Sequence, residues 1–226
     1  MNEFGKNKIP FLFIIDFRCS SPVILPLPEI NSNKILYEIN GFTNASQQTF
    51  ENTKISINKS PVVYSIFLTA FENVQKHLHY GNSYLVNLTF ETPIKTNLTL
   101  KEIFSVSKAK YKLLYKDEFV VFSPEIFVKI NKEGIISSFP MKGTIDATIE
   151  NAEEKILNDK KVYAEHCTIV DLIRNDLSMV ASKVYVKRFR YIDRLETSEK
   201  PLLQVSSEIC GQLSGAYNEK IGTIIA

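Results

Sequence analysis

The alternation of apolar and polar residues predicts a mixed chain of helices and strands, dominated by one long helix. From Ala152 to Leu177 no Pro or Gly interrupts the sequence, so a single continuous helix is expected. At 100° per residue, Glu165, Ile169, Leu172 and Asp176 fall on one side, and His166, Val170, Ile173 and Leu177 on the adjoining strip. That spacing predicts a wide buried stripe with carboxylates at both ends of one edge. Glu165 and Asp176 lie roughly 16 Å apart along a helix, too far to share one ion or one proton. Two readings stand side by side. Glu165 could ligand a hard cation such as Mg2+ while Arg174, Asn175 and Asp176 lock the helix end through buried polar contacts. The plainer reading is an amphipathic helix with a solvated acidic edge.

Elsewhere the periodicity is shorter. Val63, Ile66, Phe67, Ala70, Val74 and Leu78 recur at helical spacing over Val62–His79, with Ser60 and Pro61 as cap and first position. Strands are expected at residues 9–17, Asn33–Asn40, Ser83–Thr92, Tyr111–Leu114, Glu118–Phe122 and Val184–Arg190. Leu100–Lys110 reads as a short helix. Ile126–Asn131 and Ile135–Phe139 read as a hairpin through Lys132-Glu133-Gly134. Gly41–Thr53 reads as polar loop, and Leu202–Leu213 is mixed, with a helix start as one reading.

Composition narrows the class. The 226 residues are 44% hydrophobic and 23% charged, ordinary for a globular chain with room for a large core. A net charge of +2 without a basic run or aromatic array argues against nucleic acid as partner. Ile9–Ile15 is apolar but too short to cross a bilayer, and Asp16 and Arg18 follow at once, so a buried strand and a cytoplasmic location are expected, with no membrane partner. Cys19, Cys167 and Cys210 are isolated, which fits neither a disulfide framework nor a zinc site.

Two residues invite chemistry. Lys142 sits in Pro140-Met141-Lys142-Gly143-Thr144, read as a tight turn after a strand, where the glycine permits close backbone approach to a ligand. Such a lysine serves as an anion anchor, as an uncharged nucleophile, or merely as a surface turn residue. Glu125 follows Pro124 at a strand end, where acid–base residues and plain exposed acids both occur. His77, His79 and His166 suggest no metal cluster.

Taken in order, GNSYLVNLTF (81–90), FSPEIF (122–127), PMKGT (140–144), EHCTIVDLIRNDLSMVA (165–181) and PLLQVSSEICG (201–211) closely resemble the chorismate-utilising enzymes, which include anthranilate, aminodeoxychorismate and isochorismate synthases. The resemblance runs from about residue 61 to 213. It implies an α+β fold, a two-sheet antiparallel β-sandwich flanked by helices, with residues 1–60 as an N-terminal strand and loop segment of the same domain and 61–226 as the N-terminal part of the chorismate-binding domain. The lysine of PMKGT and Gln204 point to the aminodeoxychorismate synthase component I branch, since anthranilate synthases carry alanine and histidine there. The implied chemistry joins chorismate and ammonia, supplied by a glutamine amidotransferase subunit, into 4-amino-4-deoxychorismate on the way to 4-aminobenzoate and folate. Lys142 would be the nucleophile, Glu125 the general acid–base residue, Glu165 a Mg2+ ligand, and Gly143, Thr144 and Gln204 substrate-binding residues. The family's later motifs, PGSxTGAPK and RxGxGI with a second metal-binding Glu, have no counterpart here, so the fold is expected to be incomplete at its C-terminus and the lone chain inactive. Anthranilate synthase and a non-catalytic remnant of the fold are the alternatives.

Overall fold

The computed structural model describes residues 1–46, 55–84, 86–197 and 200–226; Leu85 and most of the polar stretch after Gly41 lie outside them. In chain order the elements are α1 Asn2–Lys6, β1 Phe11–Ile14, β2 Val23–Pro26, β3 Ile35–Ile39, β4 Phe42–Thr43, β5 Ile57–Lys59, α2 Tyr64–His79, β6 Ile94–Thr96 and α3 Leu100–Val106. There follow β7 Tyr111–Tyr115, β8 Phe119–Ser123, β9 Lys129–Ile130, β10 Ile135–Ser138, β11 Met141–Asp146, α4 Ala152–Asn158, α5 Lys160–Val180, β12 Ser182–Leu195, β13 Leu202–Gln212 and α6 Ile221–Ile225. Every strand pair among the described residues is antiparallel, and with the helices this is an α+β fold. The chain divides into two compact units, residues 1–45 with 108–226 and residues 46–107.

The larger unit is built around β13. β12 runs along one side of it, while β10 and β11 follow one another along the other and β9 pairs with β10. Val205, Ser207, Ile209, Gly211 and Leu213 share one face of this region, since successive strand residues alternate. Ile209 and Leu213 on that face pack with Ile136 and with Val170 and Leu177 of α5. A β-carbon on Gly211 would stand 2.8 Å from that of Ala181, so the missing side chain lets the end of α5 close onto the strand. The opposite face carries Glu208, a buried carboxylate 2.9 Å from both Lys187 and Arg188 of β12. Burial pushes this carboxyl up, but the two cations outweigh it and hold the group below the usual glutamate range. A second sheet in this unit has the order β4-β3-β7-β8, and a second small core gathers Leu12, Ile35 and Tyr37.

The expected single helix from Ala152 is two. Asp159 leaves the helical region (ψ 115°), and its side chain accepts the Val162 amide, so an acidic cap divides α4 from α5 without any Pro or Gly. Leu202–Leu213 is not a helix start but the central strand. Val205, Ile209 and Leu213 recur every four residues, a spacing that fits both periods, and the small Ser207 and Gly211 disguise the alternation between them.

In the smaller unit, α2 begins at Tyr64 with Val63 as its cap, later than expected. Ser60 instead gives its amide to the Pro93 carbonyl, continuing the β5–β6 pairing. The expected strand at Ser83–Thr92 does not form among its described residues. Its alternation is real, but among the described residues no strand of this unit pairs with it; Phe90 packs against Phe67 of α2, ring centres 5.9 Å apart. α3 is closed by a full capping box between Thr99 and Glu102.

Candidate active site

Lys142 lies within β11, not in a tight turn. The register sets Lys142 opposite Val205 and Thr144 opposite Gln204, two consecutive residues of β13, so the strand takes up one extra residue at Gly143. Gly143 adopts φ +80°, the left-handed value that a bulge of this kind requires. Residues paired directly across a ladder share a face. Lys142 therefore goes with Val205 on the α5 side, and Thr144 with Gln204 on the other. A β-carbon on Gly143 would stand 2.5 Å from Cγ1 of Val162, so the bulge lies hard against the first turn of α5.

A cavity of about 520 Å3 opens on the Lys142 side. Its charged lining residues are Lys142, Glu125 and Asp176; Ser123 and Ser138 add hydroxyls, and Phe139, Met141, Ile169, Ile173 and Leu177 supply much of the apolar wall. Glu125, just beyond β8, and Lys142 thus reach one cavity although they are seventeen positions apart in sequence. All three charged residues are exposed, so water and small anions can reach them. Gly143, Thr144 and Gln204 do not line this cavity. Gln204 lies between Thr144 and Asp193 in the sheet, with its buried Oε1 lacking a partner.

The Arg174-Asn175-Asp176 triplet makes no buried lock. All three residues are exposed, and Arg174 reaches Asp171 at 3.2 Å. Leu172 is also 51% exposed, so the buried stripe of α5 is narrower than expected and runs through His166, Val170, Ile173 and Leu177. Asp176 sits on the cavity wall, a placement that helical spacing alone could not distinguish from solvent.

Glu165 is exposed one turn before Ile169 on the same side of α5, and its carboxylate meets Lys161 at 3.8 Å. Among the described residues no three His, Cys, Asp or Glu side chains gather to hold a metal. One carboxylate suits Mg2+ only where substrate and water provide most of the oxygens. The neighbouring His166 is wholly buried. Its Nε2 lies 2.7 Å from Ser207 Oγ, its ring meets Phe189 edge-on, and Nδ1 has no partner. Burial, with help from the Arg190 charge, lowers its pKa to about 4, so the imidazole is neutral and ties α5 to β13. Sequence placed His166 on the stripe, but nothing in it signalled the Ser207 contact across 41 positions.

No helix among the described residues is long and apolar enough to cross a membrane. The three cysteines are free thiols.

Residues 28–219 match the family model for chorismate binding enzyme, a span that begins inside the segment the motifs left out. The chain is 45% identical over 226 residues to an uncharacterized PabA-like protein of Pasteurella multocida, covering all of this chain and 69% of that protein. A PabA-like protein of Haemophilus influenzae is also 45% identical, over 225 residues and 68% of its length. Among solved structures, a 2,3-dihydroxybenzoate-specific isochorismate synthase of Bacillus anthracis superposes with a TM-score of 0.56 at 16% identity, over 96% of this chain and 61% of that one; this likeness speaks for the fold alone. On the family match and the identity to these relatives, the chain belongs to the chorismate-binding enzyme family.

Proposed function

We propose that this chain carries the aminating site of an aminodeoxychorismate synthase, with chorismate and ammonia as substrates. The observation that supports this most is the meeting of Lys142 and Glu125 in one cavity of a chorismate-binding enzyme. Attack needs the free amine, so the Lys142 ammonium first gives a proton to a base, for which Glu125 is placed on the same cavity. Lys142 Nζ then bonds to ring carbon 2. The ring double bonds shift, and the 4-hydroxyl departs as water with the proton that Glu125 returns. Ammonia adds at carbon 4, the double bonds shift back, and the carbon 2–Nζ bond breaks to release Lys142. The proton lost by the incoming nitrogen goes to the departing lysine, and 4-amino-4-deoxychorismate leaves.

The apolar wall from Phe139, Met141 and Ile169 would hold the ring and limit water, the competing nucleophile. Mg2+ held by Glu165 with substrate oxygens would supply positive charge for the ring carboxylate. The ammonia would come from a glutamine amidotransferase subunit, and the setting would be cytoplasmic.

The test follows 4-aminobenzoate in a reaction coupled to the lyase that acts on 4-amino-4-deoxychorismate. Product that depends on ammonium and disappears in Lys142→Ala supports the reading. Anthranilate as product contradicts it.

A further inference from the structure

We propose that Ser123 is the positioning residue for Glu125, fixing the backbone that aims this carboxylate into the cavity. The inference rests on the role given to Glu125 above. Ser123 ends β8, paired with Tyr111 of β7, and is itself half-buried on the cavity lining. Its hydroxyl makes two bonds to a single residue. Oγ accepts the Glu125 amide at 3.1 Å and donates to the Glu125 carbonyl at 3.0 Å. Both peptide groups flanking Glu125 are held by one atom. Between Ser123 and Glu125 stands Pro124, with φ restricted by its ring and no amide of its own to compete for the hydroxyl.

This clamp has a visible consequence. A regular strand would present alternate residues to one side. Here Glu125, Ile126, Phe127 and Val128 all contribute to the same cavity, which requires the chain to leave the strand path after β8. Among the described residues the Glu125 carboxylate makes no ion pair or side-chain hydrogen bond, so its aim depends on its backbone.

The experiment compares the wild-type chain with Ser123→Ala, Ser123→Thr and Glu125→Gln. Hydrogen exchange of the Glu125 amide is read by NMR, with the thermal midpoint as a check on folding. Loss of the hydroxyl should speed that exchange about tenfold, the effect of one ordinary hydrogen bond, while threonine, which keeps the hydroxyl, restores it. In the coupled assay, Ser123→Ala should lower kcat about tenfold or more with KM for chorismate nearly unchanged, and displace the pH profile; threonine should restore both. Equal amide exchange in wild type and Ser123→Ala, or equal kcat and pH profile in an active pair, would overturn the inference. Absence of turnover in every chain, even when each is joined to the part of the Pasteurella multocida relative that this chain does not span, would instead overturn the aminating function, and the amide exchange with its threonine rescue would still decide the clamp.

Discussion

Lys142 and Thr144, separated by one glycine, face opposite sides of β11, because the bulge at Gly143 sets them against consecutive residues of β13. In a regular strand they would share a side. The bulge therefore divides the residues expected to act together: Lys142 joins Glu125 and Asp176, while Thr144 joins Gln204. Lys142→Ala should abolish product in the coupled assay, whereas Thr144→Val and Gln204→Ala should each cost less than about tenfold in kcat. A Thr144→Val chain as inactive as Lys142→Ala would mean that both faces act on the reacting ring.

Gly143→Ala should be costly for two separable reasons. The new methyl would fall 2.5 Å from Val162 Cγ1, and the backbone holds φ +80°, where a β-carbon is strained. Together these should remove about 2–3 kcal/mol in urea unfolding. Adding Val162→Ala should recover about 1 kcal/mol, since it relieves the contact and not the dihedral. A Gly143→Ala chain with wild-type stability would contradict the bulge.

His166 predicts a particular acid sensitivity. Its pKa falls from 6.5 to about 4 on folding, so between these values the unfolded chain binds more protons. The stability it contributes is fully present above about pH 6.5 and is lost as pH falls toward 4. Between pH 7 and pH 5 the loss should be about 2 kcal/mol, read from urea midpoints. His166→Leu should be less stable at pH 7, through the lost bond to Ser207, and lose correspondingly less on acidification. Parallel pH profiles for the two chains would refute the assignment.

The Glu208 triad should respond asymmetrically. Lys187 and Arg188 are more than half exposed and can return to water, while the Glu208 side chain is 9% exposed. Glu208→Gln should therefore cost only about 1 kcal/mol. Replacing both cations by Met should cost about 3 kcal/mol or more, because it strands a buried carboxylate. Equal costs would show that water already reaches Glu208.

How much of this was legible in the sequence depends on the kind of signal. The hairpin around Gly134 and the strands β7 and β8 rest on local periodicity and formed nearly as expected, while the stripe of α5 kept only its inner strip. Motif order pointed to the family that residues 28–219 match. What escaped was decided by distant partners or by single dihedrals. β13 read as mixed rather than as a strand because Ser207 and Gly211 are small; they are small because His166 and Ala181 press against them. The strand expected near Tyr84 had the right alternation and, among the described residues, no strand paired with it. The meeting of Glu125 with Lys142 is a property of how β8, β11 and α5 converge, which no local pattern encodes.

The central claim is covalent participation by Lys142, and mass spectrometry of the protein after brief exposure to chorismate without ammonia tests it most directly. The measurement is made on this chain and on this chain joined to the part of the Pasteurella multocida relative that it does not span. The account predicts an adduct equal to chorismate less one water on the peptide carrying Lys142, absent in Lys142→Ala and discharged when ammonium is added. Aminated product from either polypeptide without any such adduct, or with Lys142 replaced, would contradict it.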